Sequence, residues 1–551
     1  MESASATLME DVTGRRGSRL VGVLSLLRDV LIRLGDILER KTLLCVALIV
    51  LCVVPLVVLE AHSNLLLNDE IYTVHIAQAP SLREMLSLAR EIDLHPPVHY
   101  LAQRVALHSG LPRWLASRLP SLFAVVIVCL ALFRWTATRL GNLYGLVAVC
   151  VLWLTPLLEF AWSNRPYMLW MAWLCLLLLA RDVAVREKRP RWAIPLVFLL
   201  TFGMVMTHLL GIACIGPFLL AEVWRTKRLR RVDWALVAAL TLPGLSGAGF
   251  FYQIHHFSEN AFPAVNLASF STVGLIYGLV VGNTAVVIAG CLIAAVVLFG
   301  REGKRLAGVD VVVLRSCAGR FSGEDATLLL SLVVLPLLLL VLSDVLHVQF
   351  WLRYSYPATV AWAGLAAWIV AGRLPMARIV AAILVISSVG YMVGRMITES
   401  GPPGNAGVMV GGRMPIPLGS LDPALPIVTA SPMTFVEMSD RESPEIVKRV
   451  FYLTDRDAAM QYSHYTLFEN EDKIRRLLGL GSQTEAFPQF MAEHPRFYVV
   501  GDYGRSDVWL LRKLEADGMT LRYMGKFEST YESDDLFLIS KDDRVSSSSR
   551  P

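Results

Sequence analysis

Hydrophobic residues occur in long, uniformly apolar runs that are separated by short polar connections. Several runs are about 17 to 20 residues long, which is enough for a helix to cross roughly 30 Å of hydrocarbon. A spanning β-strand would alternate apolar and polar positions, and these runs do not alternate. The pattern therefore predicts a polytopic α-helical membrane protein with about eleven transmembrane helices. The predicted spans are residues 42–59, 119–135, 143–160, 167–180, 194–208, 209–224, 234–252, 284–299, 326–344, 353–370 and 377–393.

Two further apolar stretches do not fit this set of spans. Residues 98–107 are too few to cross the bilayer, so we expect an interfacial helix in the first outer loop. If residues 267–281 crossed the membrane, the later loops would fall on the wrong sides. We therefore expect this segment to be re-entrant or interfacial on the extracytoplasmic side.

The basic connections predict the orientation of the chain. Lys and Arg favour the cytoplasmic side of short loops. The arginine-rich segments at residues 181–191, 225–231, 301–320 and 373–378 all fall on the cytoplasmic side when the N-terminus does. We therefore expect a multi-pass protein of the inner (plasma) membrane, with a cytoplasmic N-terminus and an extracytoplasmic C-terminal region.

Composition divides the chain into five parts. Residues 1–41 form a basic leader, whose leucines at helical spacing predict an amphipathic helix on the membrane surface, with a plain basic leader as the alternative. Residues 42–400 form the transmembrane domain, and residues 401–425 form a Gly- and Pro-rich linker. Residues 426–544 alternate short strands with helices, which predicts a small extracytoplasmic α/β domain. Residues 545–551 are Ser-rich and are expected to be disordered.

Charge and cysteine content limit the possible partners. The 551 residues are 55% hydrophobic and 18% charged, against about a quarter charged in soluble domains. The net charge is only +5, and no basic tract with interleaved aromatic residues indicates nucleic acid. The eight cysteines include no CxxC pair, so neither a zinc site nor a redox pair is predicted.

The first outer loop, residues 65–101, carries the best candidate chemistry. It opens with Asp69 and Glu70, and carboxylates beside hydrocarbon are costly unless they have a task. Neighbouring side chains point in different directions on a helix or strand, so only one of the two can face a given cleft. We predict that Asp69 is a general base; a solvated pair of loop acids is the alternative.

The same loop ends in Asp93, His95 and two prolines, which fix the backbone. His95 and His99 flank the prolines, and histidines near paired acids could bind a divalent metal. They could equally hydrogen-bond a phosphate or orient the loop, so a divalent metal is one of these alternatives and no other cofactor is predicted.

Three later outer connections add cations and an imidazole. Arg165 precedes a proline-started helix that begins with Tyr167, which is a good position for meeting an anion; snorkelling to lipid headgroups is the alternative. Arg353 and Tyr354 repeat this arrangement at a later span. His208 alone would be read as a packed histidine, but at the same depth as these groups it is a candidate cleft residue.

Five motifs follow one another along the chain: the acidic pair, His95-Pro96-Pro97, Arg165-Pro166-Tyr167, Thr207-His208, and Arg353-Tyr354 with Pro357. Together and in this order they resemble the GT-C superfamily of membrane glycosyltransferases. The most similar types are the protein O-mannosyltransferases and the lipid A aminoarabinose transferases. The resemblance covers about residues 40 to 395, and no pattern in it matches the domain after Pro426. It implies that Asp69 or Glu70 is the catalytic acid, that the first outer loop forms interfacial helices, and that arginines hold a lipid phosphate. The expected substrate-binding residues are Asp93, His95, Arg165, Tyr167, His208, Arg353 and Tyr354.

These observations predict an inverting glycosyltransferase. The resemblance implies that the donor is a sugar on a polyprenyl phosphate or diphosphate in the membrane, and the acceptor would be an extracytoplasmic lipid, glycan or protein. Two other classes stay open. One is a transporter or flippase, which usually carries ionisable residues near the bilayer midplane. The other is a non-catalytic membrane anchor for the C-terminal domain.

Overall fold

A computed structural model of the chain describes residues 22–93, 95–250, 270–299, 321–345, 350–373, 376–399, 417–464, 466, 469, 471–504, 508–528 and 533–541. The start of the leader, the basic connection at residues 301–320, most of the linker and the Ser-rich tail lie outside these residues, so the expectations for them stay predictions.

The part of the chain up to residue 399 is helical. Its α-helices are α1 (residues 22–40), α2 (Thr42–Ser63), α3 (Asn68–Ala77), α4 (Leu82–Leu88), α5 (Val98–Leu107), α6 (Arg113–Ala116), α7 (Leu119–Leu140), α8 (Asn142–Trp153), α9 (Tyr167–Ala184), α10 (Ala193–Val205), α11 (Gly211–Leu229), α12 (Trp234–Thr241), α13 (Phe270–Val281), α14 (Thr284–Phe299), α15 (Gly323–Val345), α16 (Tyr356–Arg373) and α17 (Ala377–Glu399). Short 3₁₀ turns lie at Pro156–Phe160, Leu242–Gly247 and Leu352–Ser355, and a π turn lies at Ala89–Asp93.

Five of the described helices, α2, α7, α9, α15 and α17, are long and apolar enough to cross a membrane. Helices α13 and α14 together would make a sixth, but they are bent by 54° at their junction. Such a bend fits the re-entrant segment expected there. The other predicted spans correspond to helices that are shorter or less apolar, so the number eleven and the orientation stay predictions.

Proline explains one boundary that the hydrophobic pattern missed. The apolar run at residues 143–160 predicts one continuous span, but α8 ends at Trp153. Pro156 cannot donate a backbone hydrogen bond, and the chain continues as the 3₁₀ turn Pro156–Phe160. The outer end of the run is therefore a turn that leads directly to Arg165.

Helix α8 is the centre of the bundle and is buried over residues 143–153. Helices α2, α7, α16 and α17 pack around it. Gly145 lets α7 approach closely, because an added Cβ would lie 2.8 Å from the carbonyl oxygen of Phe133. Helix α1 joins this core through Leu31 and Leu38, so part of the leucine face predicted for the leader packs on protein.

Buried ion pairs tie four helices together at the end of the bundle that holds the predicted cytoplasmic connections. Arg139 of α7 contacts Asp182 at 2.7 Å and Asp325 at 2.9 Å. Arg181 of α9 contacts Glu222 of α11 at 2.7 Å. Each charge in this set has an opposite partner, as buried charges require.

The C-terminal domain is a six-stranded sheet with helices on both faces. The strands are β1 (Ile427–Thr429), β2 (Val450–Thr454), β3 (Gln483–Ala486), β4 (Arg496–Gly501), β5 (Thr520–Glu528) and β6 (Ser533–Ser540), and the helices are α18 (Pro432–Arg441), α19 (Pro444–Val447), α20 (Arg456–Tyr462), α21 (Glu471–Leu478), α22 (Phe487–Glu493) and α23 (Leu510–Ala516). The strand order is β3-β2-β1-β4-β6-β5, with β1 to β4 parallel and β6 antiparallel to its neighbours β4 and β5.

Alternate residues of each central strand face two different cores. Phe497 and Val499 of β4 pack with α20, α22 and α23 on one face. Tyr498 and Val500 face the other side, where α18 is joined by Ile71 and other apolar residues of α3. The first outer loop therefore completes the cover of the second face, and the domain is docked on the loop that carries Asp69.

Candidate active site

Helix α3 begins with the acidic pair and separates its two members. The Glu70 side chain is fully buried and accepts hydrogen bonds from the backbone N–H groups of Leu67, at 2.8 Å, and Asn164. The bond to Leu67 satisfies one of the free donors at the helix start. The Asp69 side chain is 35% exposed. Only Asp69 therefore faces the cleft, and Glu70 holds the helix and the Asn164 turn together.

Two arginines from distant parts of the chain flank the Asp69 carboxylate. Its Oδ2 atom lies 3.5 Å from Nη2 of Arg165 and 3.9 Å from Nη1 of Arg353. Arg165 reaches this point because it ends the turn before α9, and Arg353 because it lies in the 3₁₀ turn before α16. The three charged groups predicted from separate motifs thus meet at one place.

The guanidinium of Arg165 contacts four other residues of the cluster. Its Nη1 donates to the backbone carbonyl of Asp69 at 3.0 Å and to Oδ2 of Asp93 at 3.2 Å, and it lies 3.5 Å from the hydroxyl of Thr73. Its Nη2 donates to Nε2 of His95 at 3.2 Å. Burial alone would lower the pKa of Arg165, but the carboxylates of Asp93 and Asp69 outweigh it and raise that pKa well above its usual value. The guanidinium is therefore a permanent charge that joins both ends of the first outer loop.

Asp93 is fixed from both sides. Its Oδ2 accepts the guanidinium hydrogen bond of Arg165 and a 2.5 Å hydrogen bond from the Tyr100 hydroxyl. Burial, followed by the neighbouring Asp93 charge, raises the pKa of Tyr100 well above 10, so Tyr100 stays a donor. Asp93 orients Arg165 rather than facing open solvent, since its side chain is only 12% exposed.

His95 and His208 are neutral imidazoles. Burial lowers the pKa of both rings well below 6.5, and Arg165 and Arg353 lower both further. A guanidinium can only donate, so Nε2 of His95 accepts and the proton of that ring is on Nδ1. The site therefore holds two permanent cations beside two uncharged rings whose centroids are 5.3 Å apart.

His208 presents a donor. Its Nδ1 accepts the backbone N–H of Leu210 at 3.2 Å, which places the ring proton on Nε2. That nitrogen is buried and has no hydrogen-bond partner among the described residues. The ring stacks on Trp170 with centroids 4.6 Å apart. A buried N–H held in this way is suited to an acceptor oxygen of a ligand.

Aromatic side chains form the wall beside Arg353. Its guanidinium lies 4.7 Å from the ring centroid of Trp351 and 5.5 Å from that of Tyr167. The rings of Tyr167 and Tyr354 also contact His208. Arg353 is 28% exposed, and its Nε has no hydrogen-bond partner among the described residues, so it retains donor capacity for an anion.

All the predicted site residues are thus at or beside one cluster, but sequence reasoning missed several that support it. Tyr100 follows the HPP motif on α5, and Thr73 lies one helical turn after Asp69, so both had a signal in their spacing. Arg118, which donates to the Asn64 carbonyl at 2.8 Å and lies 4.0 Å from Glu70, had none.

The possible metal site predicted at His95 has no further support. Within the described residues, no group of three or more His, Cys, Asp or Glu side chains is placed to hold a metal ion. His95 Nε2 lies 3.2 Å from Arg165 and 3.9 Å from Asp93, and its ring lies beside that of His208.

Comparison with known proteins finds structural neighbours alone. No protein-family model matches the chain, and no curated protein matches it by sequence. Among solved structures, ArnT from Cupriavidus metallidurans bound to undecaprenyl phosphate is 13% identical, with a TM-score of 0.42 over 90% of this chain and 97% of that chain. The apo state of ArnT gives 13% identity and a TM-score of 0.47 over 91% and 98% of the two chains. The chain is therefore similar to these two ArnT structures over most of its length, at low sequence identity.

Proposed function

We propose that the protein is an inverting membrane glycosyltransferase that moves a sugar from a polyprenyl-phosphate carrier to an extracytoplasmic acceptor. One observation carries the proposal: a partly exposed carboxylate, Asp69, lies between two guanidinium groups at the ends of apolar helices. A base beside two cations is the combination that this reaction needs at the membrane surface.

Asp69 is the proposed general base. The acceptor hydroxyl gives its proton to the Asp69 carboxylate while its oxygen attacks the anomeric carbon of the sugar. The bond between that carbon and the phosphate oxygen breaks, and its electron pair leaves with the polyprenyl phosphate. One displacement of this kind inverts the anomeric centre. Glu70 has no free oxygen for this task, because both of its oxygens accept backbone hydrogen bonds.

Arg353 and Arg165 are proposed to stabilise the leaving phosphate, which gains one negative charge as the bond breaks. The Nε2–H of His208 is a third donor. Two guanidiniums face two carboxylates, Asp69 and Asp93, so the four charges sum to zero.

The proposed orientation follows from the same residues. A polyprenyl chain lies in the bilayer, so its phosphate must be presented at the interface. The cytoplasmic side is assigned to the basic connections, and the cluster around Asp69 lies at the opposite ends of the helices. We therefore propose that the site and the C-terminal domain lie on the extracytoplasmic side of the inner membrane. The acceptor, whether lipid, glycan or protein, stays open.

The decisive experiment compares Asp69→Asn with the purified unmodified protein. The probe is a total extract of the host envelope, which supplies polyprenyl-phosphate-linked sugars together with lipid, glycan and protein acceptors, and the readout is release of polyprenyl phosphate. We expect the variant to insert and purify normally and to lose at least about 100-fold in kcat. Asp36→Asn is the matched control, since Asp36 pairs with Arg378 away from the site. Normal turnover by Asp69→Asn would refute the assignment, and a transporter or an anchor would show no turnover even in the unmodified protein.

A further inference from the structure

The C-terminal domain reaches the segment that leads into α3. Arg441, the last residue of α18, donates a hydrogen bond to the backbone carbonyl of Leu66. Leu66 directly precedes Leu67, the N-cap of α3. On the membrane side, Arg118 donates to the carbonyl of Asn64 at 2.8 Å. Two guanidiniums from separate parts of the chain thus hold the same short connection.

Asp440, the neighbouring residue of α18, contacts the C-terminal end of α3. Asp440 accepts from Nη2 of Arg113 at 2.7 Å and from Nη1 at 3.2 Å, and its Oδ1 lies 3.1 Å from Nε2 of His75 in the last turn of α3. Burial alone would raise the pKa of Asp440, but the hydrogen bonds of His75 and Arg113 lower it to about 2. This carboxylate is therefore charged at every physiological pH.

Apolar residues fill the space between these two polar contacts. Ile71 and Val74 of α3 are fully buried in one core with Phe435 and Val436 of α18. Because α3 completes the cover of this sheet face, it cannot leave the domain without exposing apolar surface of both partners.

We propose that the C-terminal domain positions the proposed catalytic base. Arg441 and Asp440 hold the two ends of α3 and thereby fix the place of Asp69. Both are positioning residues, since neither touches the cleft. The proposal rests on the role proposed for Asp69. It predicts that loosening α3 affects turnover more than donor binding, because the base moves while the arginines of the membrane domain stay.

The test uses the full chain and matched arginine variants. Arg441→Met removes the contact with Leu66, and Arg441→Lys retains one donor. Arg449→Met is the control, because Arg449 donates to the Leu425 carbonyl within its own domain and does not reach α3. Arg113→Met removes the bidentate partner of Asp440 from the membrane domain. Because Arg113 is 43% exposed, we expect this variant to fold, and it replaces Arg441→Met as the test if that variant does not.

Two measurements are made on each variant. With envelope-extracted polyprenyl-phosphate-linked sugars, we expect Arg441→Met to lower kcat roughly 10- to 100-fold with KM nearly unchanged, since small displacements of a catalytic group have large effects. Arg441→Lys should recover part of the loss, and Arg449→Met should match the unmodified protein. Amide hydrogen exchange over residues 68–77 should accelerate in Arg441→Met and not in Arg449→Met.

Unchanged kcat together with unchanged exchange in Arg441→Met and Arg113→Met would overturn the proposal. So would a loss of activity that appears equally in Arg449→Met, because that would be a general loss of domain stability. If the unmodified protein transfers no sugar, the proposed function fails, and the exchange measurement alone then decides whether the domain holds α3.

Discussion

Replacing Arg165 by methionine tests whether the cluster is held together by charge. Arg165 is 7% exposed, and among the described residues its guanidinium is the only cation within 4 Å of the Asp93 carboxylate, since the nearby His95 ring is neutral. Without it, Asp93 would retain only the hydrogen bond from Tyr100. Leaving one member of a buried ion pair without its partner costs about 3–5 kcal/mol. We therefore expect Arg165→Met to be strongly destabilised as well as inactive.

A second substitution isolates the electrostatic part of this cost. Asp93→Asn in the Arg165→Met background removes the unpaired charge and keeps an acceptor for Tyr100. We expect the double variant to regain about 2 kcal/mol of the lost free energy of unfolding, measured by denaturant titration in detergent. It should stay inactive, since Arg165 also contacts Asp69. A double variant no more stable than Arg165→Met would refute the reasoning, because the destabilisation would then come from lost packing.

Two other substitutions separate the roles of buried groups in the outer loop. Glu70 accepts hydrogen bonds from two backbone N–H groups, and Glu70→Gln places an amide N–H donor against one of them. We therefore expect the free energy of unfolding to fall by about 1–3 kcal/mol, with partial activity retained. A loss of activity as complete as in Asp69→Asn would contradict this expectation. Burial, followed by the charge of Arg165, lowers the pKa of His99 from 6.5 to about 4. The unfolded chain therefore takes up a proton at pH 5 that the folded chain does not, which lowers stability by about 2 kcal/mol relative to pH 8. His99→Gln should reduce the fall in thermal stability between pH 8 and pH 5, and an unchanged pH dependence would count against a buried neutral ring.

Sequence alone predicted the outer cluster because its members lie next to strong local signals. Asp69 follows the first apolar run, Arg165 lies just before α9, and Arg353 lies just before α16. The exposure of Asp69 and the burial of Glu70 agree with the expectation that only one acid of the pair can face a given cleft. Helix α5 has the bounds predicted for it, Val98–Leu107.

Sequence reasoning failed where long-range packing decides. Apolar runs do not reveal where a helix breaks, so the spans at 143–160 and 194–208 were predicted too long, and α10 ends at Val205. The short strand β3, Gln483–Ala486, has no apolar alternation and carries no signal. The contacts of Arg441 and Asp440 with the first outer loop join residues far apart in the chain, and no local pattern marks them.

The long separation between Leu66 and Arg441, 375 positions, has a consequence during biosynthesis. Translation proceeds at about 5–20 residues per second, so roughly 20 to 75 s pass between synthesis of the acidic loop and of the arginine that secures it. A nascent chain therefore carries Asp69 before the contact that secures the start of α3 can form. Under the proposed function, the catalytic site is therefore incomplete until α18 has been synthesised and has docked on α3.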